Sequence, residues 1–594
     1  MAMVQATCGG GVSATRRGPS IPPARAADRR CGGVVALCAW ALIGLSWQSS
    51  VAALDPLLLG DGDRLLVLAP HPNDEILAAG GLIQEALALD LPVKVCVFTM
   101  GENNEIARLF VRRHVHQIPG ARQPTGHLRQ TEALAAAGHL GLASDDLVFL
   151  GFPASSTYEI WKNHWRDVAP LWSELTRSRA IPYDHVLTPG NAHAGDDILD
   201  DLEDILAEFQ PTLVVLPHPG DHNDDHRALY LFARVALWNV EALGIAPELL
   251  AYPVHFTRWP LPRRFDPQRQ VAPPDFLGTT TAWREFELAP FQVNAKQVAL
   301  RRHHSQFQRA ATYLEALVNK NELFGDVPPI VLPGGIGATE WVEPDHTRYR
   351  PDRDFLQELV RDSDIWLEIV GQHNAETAAL EKYDHSFQRV GFEGDGRRVR
   401  LTLQIQRPLS PETRLRIFLY GYRSDIPFGD MPKIQITTGP QQTDSVKDLV
   451  RTLSNRIVET SAGGGDEVSV ALDLAQLGHP HRILVGAELL YEELPLDWLA
   501  WRVIELPDRG DPSPLAGAPP SPPSPSPQPP AVVAPEPPAP PSPDSFVRQP
   551  PPRGRRRPPA RPDPSGTPER LVPRVNLPTR DIPERSYENE PVFW

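Results

Sequence analysis

The sequence predicts an α/β fold, followed by a smaller all-β sandwich-like domain and a disordered tail. Three observations support this prediction. Apolar strand patterns alternate with helical patterns over residues 54–345, which is typical of a Rossmann-like parallel sheet with helices on both faces. Short strands separated by turn signals follow, without regular helices. Beyond residue 506 the composition changes to mainly Pro, Ser and Ala, which cannot build a packed core.

The chain has 594 residues, too many for one hydrophobic core, so more than one domain is expected. We divide it into a leader (1–53), an α/β domain (54–345), a β-sandwich-like domain (346–506) and a Pro-rich tail (507–594). This division assigns any catalytic chemistry to the α/β domain, where the informative motifs lie.

The leader has the order of a secretory signal. Arginines come first, residues 32–47 are almost wholly apolar, and small residues follow at 50–53. This order predicts an exported protein, periplasmic or secreted. An uncleaved leader that anchors the chain to a membrane is the alternative, because the apolar run is at the short end for a span.

Net charge and cysteine content exclude several classes of function. A net charge of −16 argues against a nucleic-acid-binding surface across the whole protein. Three of the four cysteines lie in the leader, so only Cys96 remains once the leader is removed. The mature chain would then have neither an intrachain disulfide nor a cysteine-based zinc site.

The alternating pattern of the first domain places its elements in a clear order. Strands are predicted at 64–71, 92–100, 147–152, 183–187 and 211–218. Helices are predicted at 74–89, 126–142, 197–209, 227–240 and 294–321.

Polar, metal-capable clusters follow two of these strands at once. His71 and Asp74 come after the strand at 64–71, and the cluster ending in His226 comes after the strand at 211–218. Parallel strands bring their carboxyl ends to one edge of a sheet, where ligands bind in open α/β folds. A zinc site with an open position needs three such ligands. Asp74 and Asp225 could instead be simple helix N-caps, but the repetition after two buried strands favours a metal site.

An ordered set of motifs spans roughly residues 62–325. The motifs are Pro70-His71-Pro72-Asn73-Asp74-Glu75, Arg129-Gln130-Thr131-Glu132-Ala133, Phe149 to Pro153, Asp225-His226-Arg227-Ala228 and Lys296-x-x-Ala299-Leu300-x-x-His303-x-Ser305-Gln306. This set resembles the LmbE-like, PIG-L-type zinc deacetylases, which remove N-acetyl groups from N-acetylglucosamine-containing molecules. The resemblance implies a Zn²⁺ ion held by His71, Asp74 and His226. It also implies that Arg129 helps to bind a polar substrate, an amino sugar or other glycan.

The chain departs from the family pattern at two positions. The family's general-base Asp is replaced by Asn73, and an amide cannot accept the proton. The position of a His that helps to stabilise the oxyanion in many members is occupied by Asn223, a substitution that resembles a known variant of the motif. Asp221 and Asp224 are the open candidates for a substitute base. Asp225 is interpreted as a residue that orients a ligand histidine.

Two functions of different class are therefore expected. The first is a zinc-dependent hydrolase that removes an N-acetyl or other N-acyl group from an amino-sugar-containing substrate. The alternative is a catalytically impaired homologue that retains zinc and binds glycans.

Several aromatic residues have two possible roles. Trp161 and Trp165 could stack on a sugar ring or pack in the core. Tyr420, Tyr422, Trp498 and Trp501 lie in the second domain and could form a sugar platform, although a core position is favoured.

The tail carries a basic patch at 553–561. With the leader, this patch gives the chain two possible peripheral contacts with the membrane or cell envelope. A solubilising spacer is the favoured role of the tail.

Overall fold

A computed structural model describes most of the two folded domains. The described residues are 54–103, 123–256, 259–277, 281–332, 338–344, 377–379, 381–383, 385–440, 442–450, 458–463 and 465–506. The predictions for the leader and for the tail lie outside these ranges. Within them, no helix is both long and apolar enough to cross a membrane.

The α/β domain is built on an eight-stranded sheet. Its strands are β1 (Asp55–Pro56), β2 (Leu65–Ala69), β3 (Val93–Thr99), β4 (Leu147–Phe152), β5 (Leu213–Pro217), β6 (Glu248–Tyr252), β7 (Ala282–Glu287) and β8 (Asn321–Asp326). The order is β1-β7-β8-β6-β5-β2-β3-β4. The five strands from β6 to β4 are mutually parallel, while β8 runs antiparallel to both β6 and β7. The predicted parallel sheet is therefore confirmed, with an antiparallel extension at one side.

Seven helices of the described residues accompany this sheet. They are α1 (Asp74–Ala88), α2 (Gln123–His139), α3 (Thr157–Asn163), α4 (Gly195–Phe209), α5 (Asp224–Val240), α6 (Pro290–Leu300) and α7 (His304–Glu315). The long helix predicted at 294–321 is thus two helices, separated at residues 301–303. The strand predicted at 183–187 is absent from the described sheet. Tyr183 is buried, and its hydroxyl donates a hydrogen bond to Glu102 at 2.6 Å.

A kink in α1 explains a buried ion pair. Ala79 has non-helical angles (φ −137°, ψ 20°), which releases backbone groups on both sides of it. The Nζ atom of Lys296 donates to a carbonyl of the first half of α1 at 2.9 Å and to Glu322 at 2.7 Å. The Glu322 carboxylate accepts from the amides of Gly81 and Leu82 at 2.7 and 3.0 Å. Cation and anion therefore meet the negative and positive ends of the two half-helices.

The second domain is a sandwich of two sheets, as predicted. The first five of its strands are β9 (Ile330–Val331), β10 (Glu340–Val342), β11 (Phe387–Gly394), β12 (Arg398–Ile405) and β13 (Thr413–Tyr422). The others are β14 (Lys433–Gly439), β15 (Gln442–Asp448), β16 (Val458–Gly463), β17 (Glu467–Asp473), β18 (Arg482–Tyr491) and β19 (Leu494–Glu505). The sheets have the orders β10-β11-β12-β17-β16 and β15-β14-β13-β18-β19-β9. Both sheets include a strand that precedes residue 345, since β9 pairs with β19 and β10 with β11.

The six-stranded sheet of the sandwich is buried on both faces. Along β13, Leu415 and Ile417 belong to the core of the sandwich, whereas Phe418 and Tyr420 belong to the core of the α/β domain. This alternation follows from the two-residue period of a strand. One hydrophobic core is therefore continuous from the α/β domain to the outer face of the sandwich.

Aromatic residues fill this shared core. Trp161 of α3 lies 5.7 Å from Tyr420 and 5.8 Å from Trp501, measured between ring centroids. The indole of Trp501 donates to the hydroxyl of Tyr158 at 2.8 Å. All six aromatic residues with two possible roles are at most 5% exposed. They are core residues and do not form an exposed sugar platform.

Candidate metal centre

Three adjacent strands deliver the side chains of the site. The carboxyl ends of β2, β5 and β6 lie side by side in the sheet. The loop after β2 carries His71 and leads into α1 at Asp74. The loop after β5 leads into α5, whose third residue is His226, and His255 lies three residues beyond β6. The edge of the parallel sheet therefore collects four potential metal ligands.

These four side chains form one buried cluster. A possible ligand atom from each of His71, Asp74, His226 and His255 lies within 4.8 Å of the others. The Asp74 carboxylate is central: Oδ2 is 3.1 Å from both His71 Nδ1 and His226 Nε2, and Oδ1 is 3.4 Å from His255 Nε2. Each of the four residues is at most 2% exposed. A buried His and carboxylate set of this kind can hold a metal ion.

Each imidazole is held through its outer nitrogen. Nε2 of His71 lies 3.1 Å from Oδ2 of Asp225, and Nδ1 of His226 lies 3.2 Å from Oδ2 of Asp221. Nδ1 of His255 lies 3.0 Å from the hydroxyl of Tyr313. Partners of this type fix the ring and direct the inner nitrogen toward a metal.

Several inner atoms of the cluster, and the outer Nδ1 of His226, lack a hydrogen-bond partner. Among the described residues, Oδ1 of Asp74 and Nε2 of both His226 and His255 are buried and have no hydrogen-bond partner. Buried polar atoms without a partner are costly, and three that face one another need an explanation. A cation between them satisfies all three, so the residues present fit a metal ion.

The pKa values of the clustered side chains also favour a bound cation. Burial alone would raise the pKa of the Asp74 carboxyl, but His226 and the neighbouring imidazoles hold that pKa well below its usual range. Burial alone would lower the pKa of His226, yet Asp221 and Asp74 raise it to about 10. The cluster therefore stabilises a positive charge, and a metal ion would displace the proton that supplies it.

Asn73 is adjacent to the cluster and has an unusual backbone. It precedes α1 with φ 119° and ψ −21°, a left-handed conformation that is costly for any residue with a Cβ. The backbone amide of Asn73 donates a hydrogen bond to Oε2 of Glu75 at 2.9 Å. The tight turn brings His71 and Asp74 toward each other, since the His71 amide donates to Asp74 Oδ2 at 3.0 Å.

The acidic residues after β5 have separate positions. Asp221 contacts His226 and also accepts from the amides of Asn223 (2.8 Å) and His255 (3.1 Å). Asp224 forms an ion pair with Arg227 and is not one of the four clustered residues. Asp225 lies against His71, in the position expected for a residue that orients a ligand histidine.

The two residues predicted to bind substrate are both buried. The side chain of Asn223 caps α5 by accepting from the Asp225 amide at 2.9 Å. Arg129 donates to the carbonyls of Gly101 (2.9 Å) and Pro72 (2.6 Å), which joins the loops after β3 and β2. Their roles toward substrate stay predictions.

Two of the matched sequence motifs pack against each other behind the site. The Glu132 carboxylate of α2 accepts from the Ser305 amide (2.8 Å) and hydroxyl (2.6 Å) at the start of α7. Nε2 of His303 lies 3.6 Å from Oε1 of Glu75. These motifs therefore hold α1, α2 and α7 in register around the four clustered side chains.

His255 is the member of the cluster that the sequence prediction missed. Its signal was present, because Leu249 to Tyr252 is a short apolar run followed by a histidine three residues later. An apolar run followed by metal-capable residues is the pattern used to place the strands at 64–71 and 211–218. The position of β6 beside β5 is what brings His255 to the other ligands.

The sandwich contacts the loop that carries the site. The ring of Trp498 in β19 lies 5.2 Å from the ring of His222, in the loop between β5 and α5. The Arg227 guanidinium lies between the Tyr158 and Trp498 rings, 4.6 and 4.9 Å from their centroids. The second domain therefore supports the loop that presents His226.

Comparisons with known proteins agree with the geometry. Residues 66–237 match the model of the PIG-L family, described as GlcNAc-PI de-N-acetylase. The chain is 33% identical over 158 residues to the 1D-myo-inositol 2-acetamido-2-deoxy-alpha-D-glucopyranoside deacetylase 1 of Saccharopolyspora erythraea, covering 26% of this chain and 45% of that protein. It is 30% identical over 207 residues to the corresponding deacetylase of a Mycobacterium species (strain KMS), covering 33% and 58%.

The match covers only part of each protein, because the chain spans about half the length of these curated relatives. Among solved structures, the N,N'-diacetylchitobiose deacetylase from Pyrococcus horikoshii is 17% identical, with 43% of this chain and 76% of that chain covered and a TM-score of 0.25. That score is too low to bear on function. The sequence matches and the motifs together make residues 66–237 similar to the PIG-L family.

Proposed function

We propose that this protein is a zinc-dependent hydrolase that removes an N-acetyl group from an amino-sugar-containing substrate. One observation carries the proposal: buried His and Asp atoms without hydrogen-bond partners converge at the sheet edge of a domain that matches the PIG-L family. The names of the curated relatives describe deacetylases of an acetamido sugar linked to inositol, which supports this class of substrate.

The residues of the site have distinct proposed roles. His71, Asp74 and His226 would hold the metal, and their nitrogen and oxygen donors suit zinc. A bound zinc ion would polarise the amide carbonyl and lower the pKa of water near it. Asp225 and Asp221 keep His71 and His226 oriented, which leaves their inner nitrogens available.

Proton transfer is where this chain differs from the family pattern. Asn73 occupies the position of the general base, and its amide can orient a water molecule but cannot accept a proton. The nearby carboxylates are engaged: Asp221 with His226, Asp224 with Arg227 and Asp225 with His71. General acid–base help typically contributes about 10²- to 10⁴-fold, so a slow enzyme is expected.

The presence of Asn73 at the general-base position favours a second candidate function. A site that keeps its metal ligands but has Asn73 at the base position could hold an acetylated sugar without cleaving it. We therefore retain a zinc-containing, glycan-binding homologue as the alternative. The two functions predict the same metal content and differ in turnover.

Acetate release tests the proposal. Purified protein is loaded with Zn²⁺ and incubated with N-acetylglucosamine and with 1D-myo-inositol 2-acetamido-2-deoxy-α-D-glucopyranoside, the compound in the names of the relatives. Slow release that a chelator abolishes is expected from the wild type, and Asn73→Asp should raise it by about 10²- to 10⁴-fold. Absence of release from both forms would reject the enzyme for these substrates. Sugar binding without release would support the alternative.

A further inference from the structure

We infer that His255 is a fourth protein donor to the metal and that Tyr313 fixes it in the form that can coordinate. This inference rests on the proposed metal site and extends the three-ligand set of His71, Asp74 and His226 to four, so that a position for water or substrate requires a five-coordinate ion. It concerns which atoms hold the ion, and its test does not depend on turnover.

The hydrogen bonds of Tyr313 assign the proton on His255. The Tyr313 hydroxyl donates its single proton to the carbonyl of Val254 at 3.0 Å. The contact of 3.0 Å between that hydroxyl and Nδ1 of His255 is then satisfied when Nδ1 carries the hydrogen and the hydroxyl oxygen accepts. In neutral His255 this leaves the lone pair on Nε2.

That lone pair faces a carboxylate oxygen. Nε2 of His255 lies 3.4 Å from Oδ1 of Asp74, and both atoms are buried. Among the described residues neither atom has a hydrogen-bond partner. Two acceptors that face each other in a buried site repel, and a cation between them turns the repulsion into attraction. The pair therefore points to the same ion as the other ligands.

The position of His255 is set by contacts with the proposed three-ligand set. Oδ2 of Asp221 accepts from the His255 amide at 3.1 Å and lies 3.2 Å from Nδ1 of His226. One carboxylate thus places both the backbone of His255 and the ring of His226. The two rings are 4.5 Å apart between centroids. Because Tyr313 then holds the outer nitrogen of His255, all three histidines have the same arrangement of an outer partner and an inner ligand atom.

Metal affinity distinguishes a ligand from a neighbouring core histidine. Affinity for Zn²⁺ is measured by competition with a chromophoric chelator for wild type, His255→Ala and Tyr313→Phe. Loss of an outer partner typically costs about 10- to 100-fold in affinity, so Tyr313→Phe should fall in that range and His255→Ala at or beyond its upper end. Tyr313→Phe preserves the volume of the side chain, which keeps the test valid if His255→Ala does not fold.

His218→Ala is the matched control. His218 is also fully buried beside the site, but its ring contacts the Gly220 amide and the Thr281 hydroxyl and it is not in the metal cluster. Its substitution should lower stability and leave metal affinity within about twofold of wild type. An equal loss of affinity in this variant would mean that disturbed packing explains the effect, and would overturn the inference.

Co²⁺ provides a readout that reports coordination directly. In protein loaded with Co²⁺, replacement of an imidazole donor by water should change the visible absorption of His255→Ala relative to wild type. Unchanged spectra and affinities in His255→Ala and Tyr313→Phe would overturn the role of His255 while the metal site stands. A wild type that binds neither Zn²⁺ nor Co²⁺ would instead reject the proposed metal-dependent function.

Discussion

Oδ2 of Asp225 lies 3.1 Å from Nε2 of His71, and the same oxygen accepts from the Ser155 amide at 2.6 Å. Its other oxygen accepts from the Thr157 hydroxyl at 2.6 Å. Burial alone would raise the pKa of Asp225, but His71 and the donors around it lower that pKa. One carboxylate therefore joins the loops after β2, β4 and β5 and orients a proposed metal ligand.

Asp225→Asn should weaken zinc binding by about 10- to 100-fold, because the amide can no longer both accept from His71 and keep its other contacts. Affinity from chelator competition checks this prediction. The adjacent Asp224→Asn is the control, since Asp224 pairs with Arg227 outside the cluster. Equal losses in both variants would contradict a specific role for Asp225 at His71.

The backbone of Asn73 gives a second prediction. At φ 119° a glycine relieves strain that any side chain carries. Asn73→Gly should therefore unfold at higher urea concentration than Asn73→Ala, with a difference of about 1 kcal/mol or more in the free energy of unfolding. Urea titrations of metal-free protein measure it. Equal stability of the two variants would show that the turn relaxes freely, and that Asn73 is not held in a strained conformation.

Most of the fold was predictable because the α/β domain obeys local rules. Strands β2 and β5 are uninterrupted apolar runs, and a polar cluster follows each one directly. The rule that parallel strands share a carboxyl edge then placed His71 near His226 without any knowledge of strand order. The class of the second domain followed from its short strands and turn signals.

The features that could not be predicted from the sequence depend on contacts between distant segments. His255 joins the cluster because β6 pairs with β5, and its partner Tyr313 lies 58 positions further along the chain. No local pattern encodes that pairing. The engagement of Asp221 with His226 is likewise visible only in three dimensions. The aromatic residues of β13 and β19 were ambiguous because a sheet buried on both faces removes the usual alternation of polar and apolar positions.

A buried acidic residue gives a prediction for pH dependence. Burial, followed by the charges of Asp197, Asp204 and Asp200, raises the pKa of Asp201 to about 6, although the Thr188 hydroxyl acts in the opposite direction. Between about pH 4 and pH 6, Asp201 is therefore protonated in the native state and ionised in the unfolded state. The stability from this proton is complete below the unfolded pKa and is lost as the pH rises through 6.

Asp201→Asn removes this dependence. When the pH is raised from 4 to 7.5, the unfolding free energy of the variant should increase relative to that of the wild type by on the order of 2 kcal/mol. Urea unfolding at the two pH values measures the shift, and the other acidic groups cancel because both proteins contain them. A difference that stays constant with pH would mean that Asp201 titrates normally in the native protein.

The continuous core between the domains predicts that the sandwich is not separable. A chain that ends at residue 345 would expose Trp161, whose ring packs against those of Tyr420 and Trp501, and would lose the contact between Trp498 and His222. Such a chain should aggregate or bind a hydrophobic dye, because exposed apolar patches of this kind promote association. Recovery of a soluble monomer with wild-type zinc affinity would instead favour an independent module.

The ion pair at the kink of α1 provides a final test of how the fold supports the site. Lys296 and Glu322 are each at most 3% exposed, and together they satisfy the backbone groups that the kink releases. Lys296→Met leaves the Glu322 charge buried without its partner, which should cost about 3–5 kcal/mol of unfolding free energy.

The double variant Lys296→Met/Glu322→Gln should be less destabilised than the sum of the single variants, since it leaves no uncompensated charge. Arg301→Met is the control, because Arg301 pairs with Glu315 at 2.8 Å but is 54% exposed and should cost less than about 1 kcal/mol. Additive effects at Lys296 and Glu322 would show that each residue stabilises its own half of the helix separately. Coupling would show that the kink, which directly follows the turn carrying Asp74, is held by the pair as a unit.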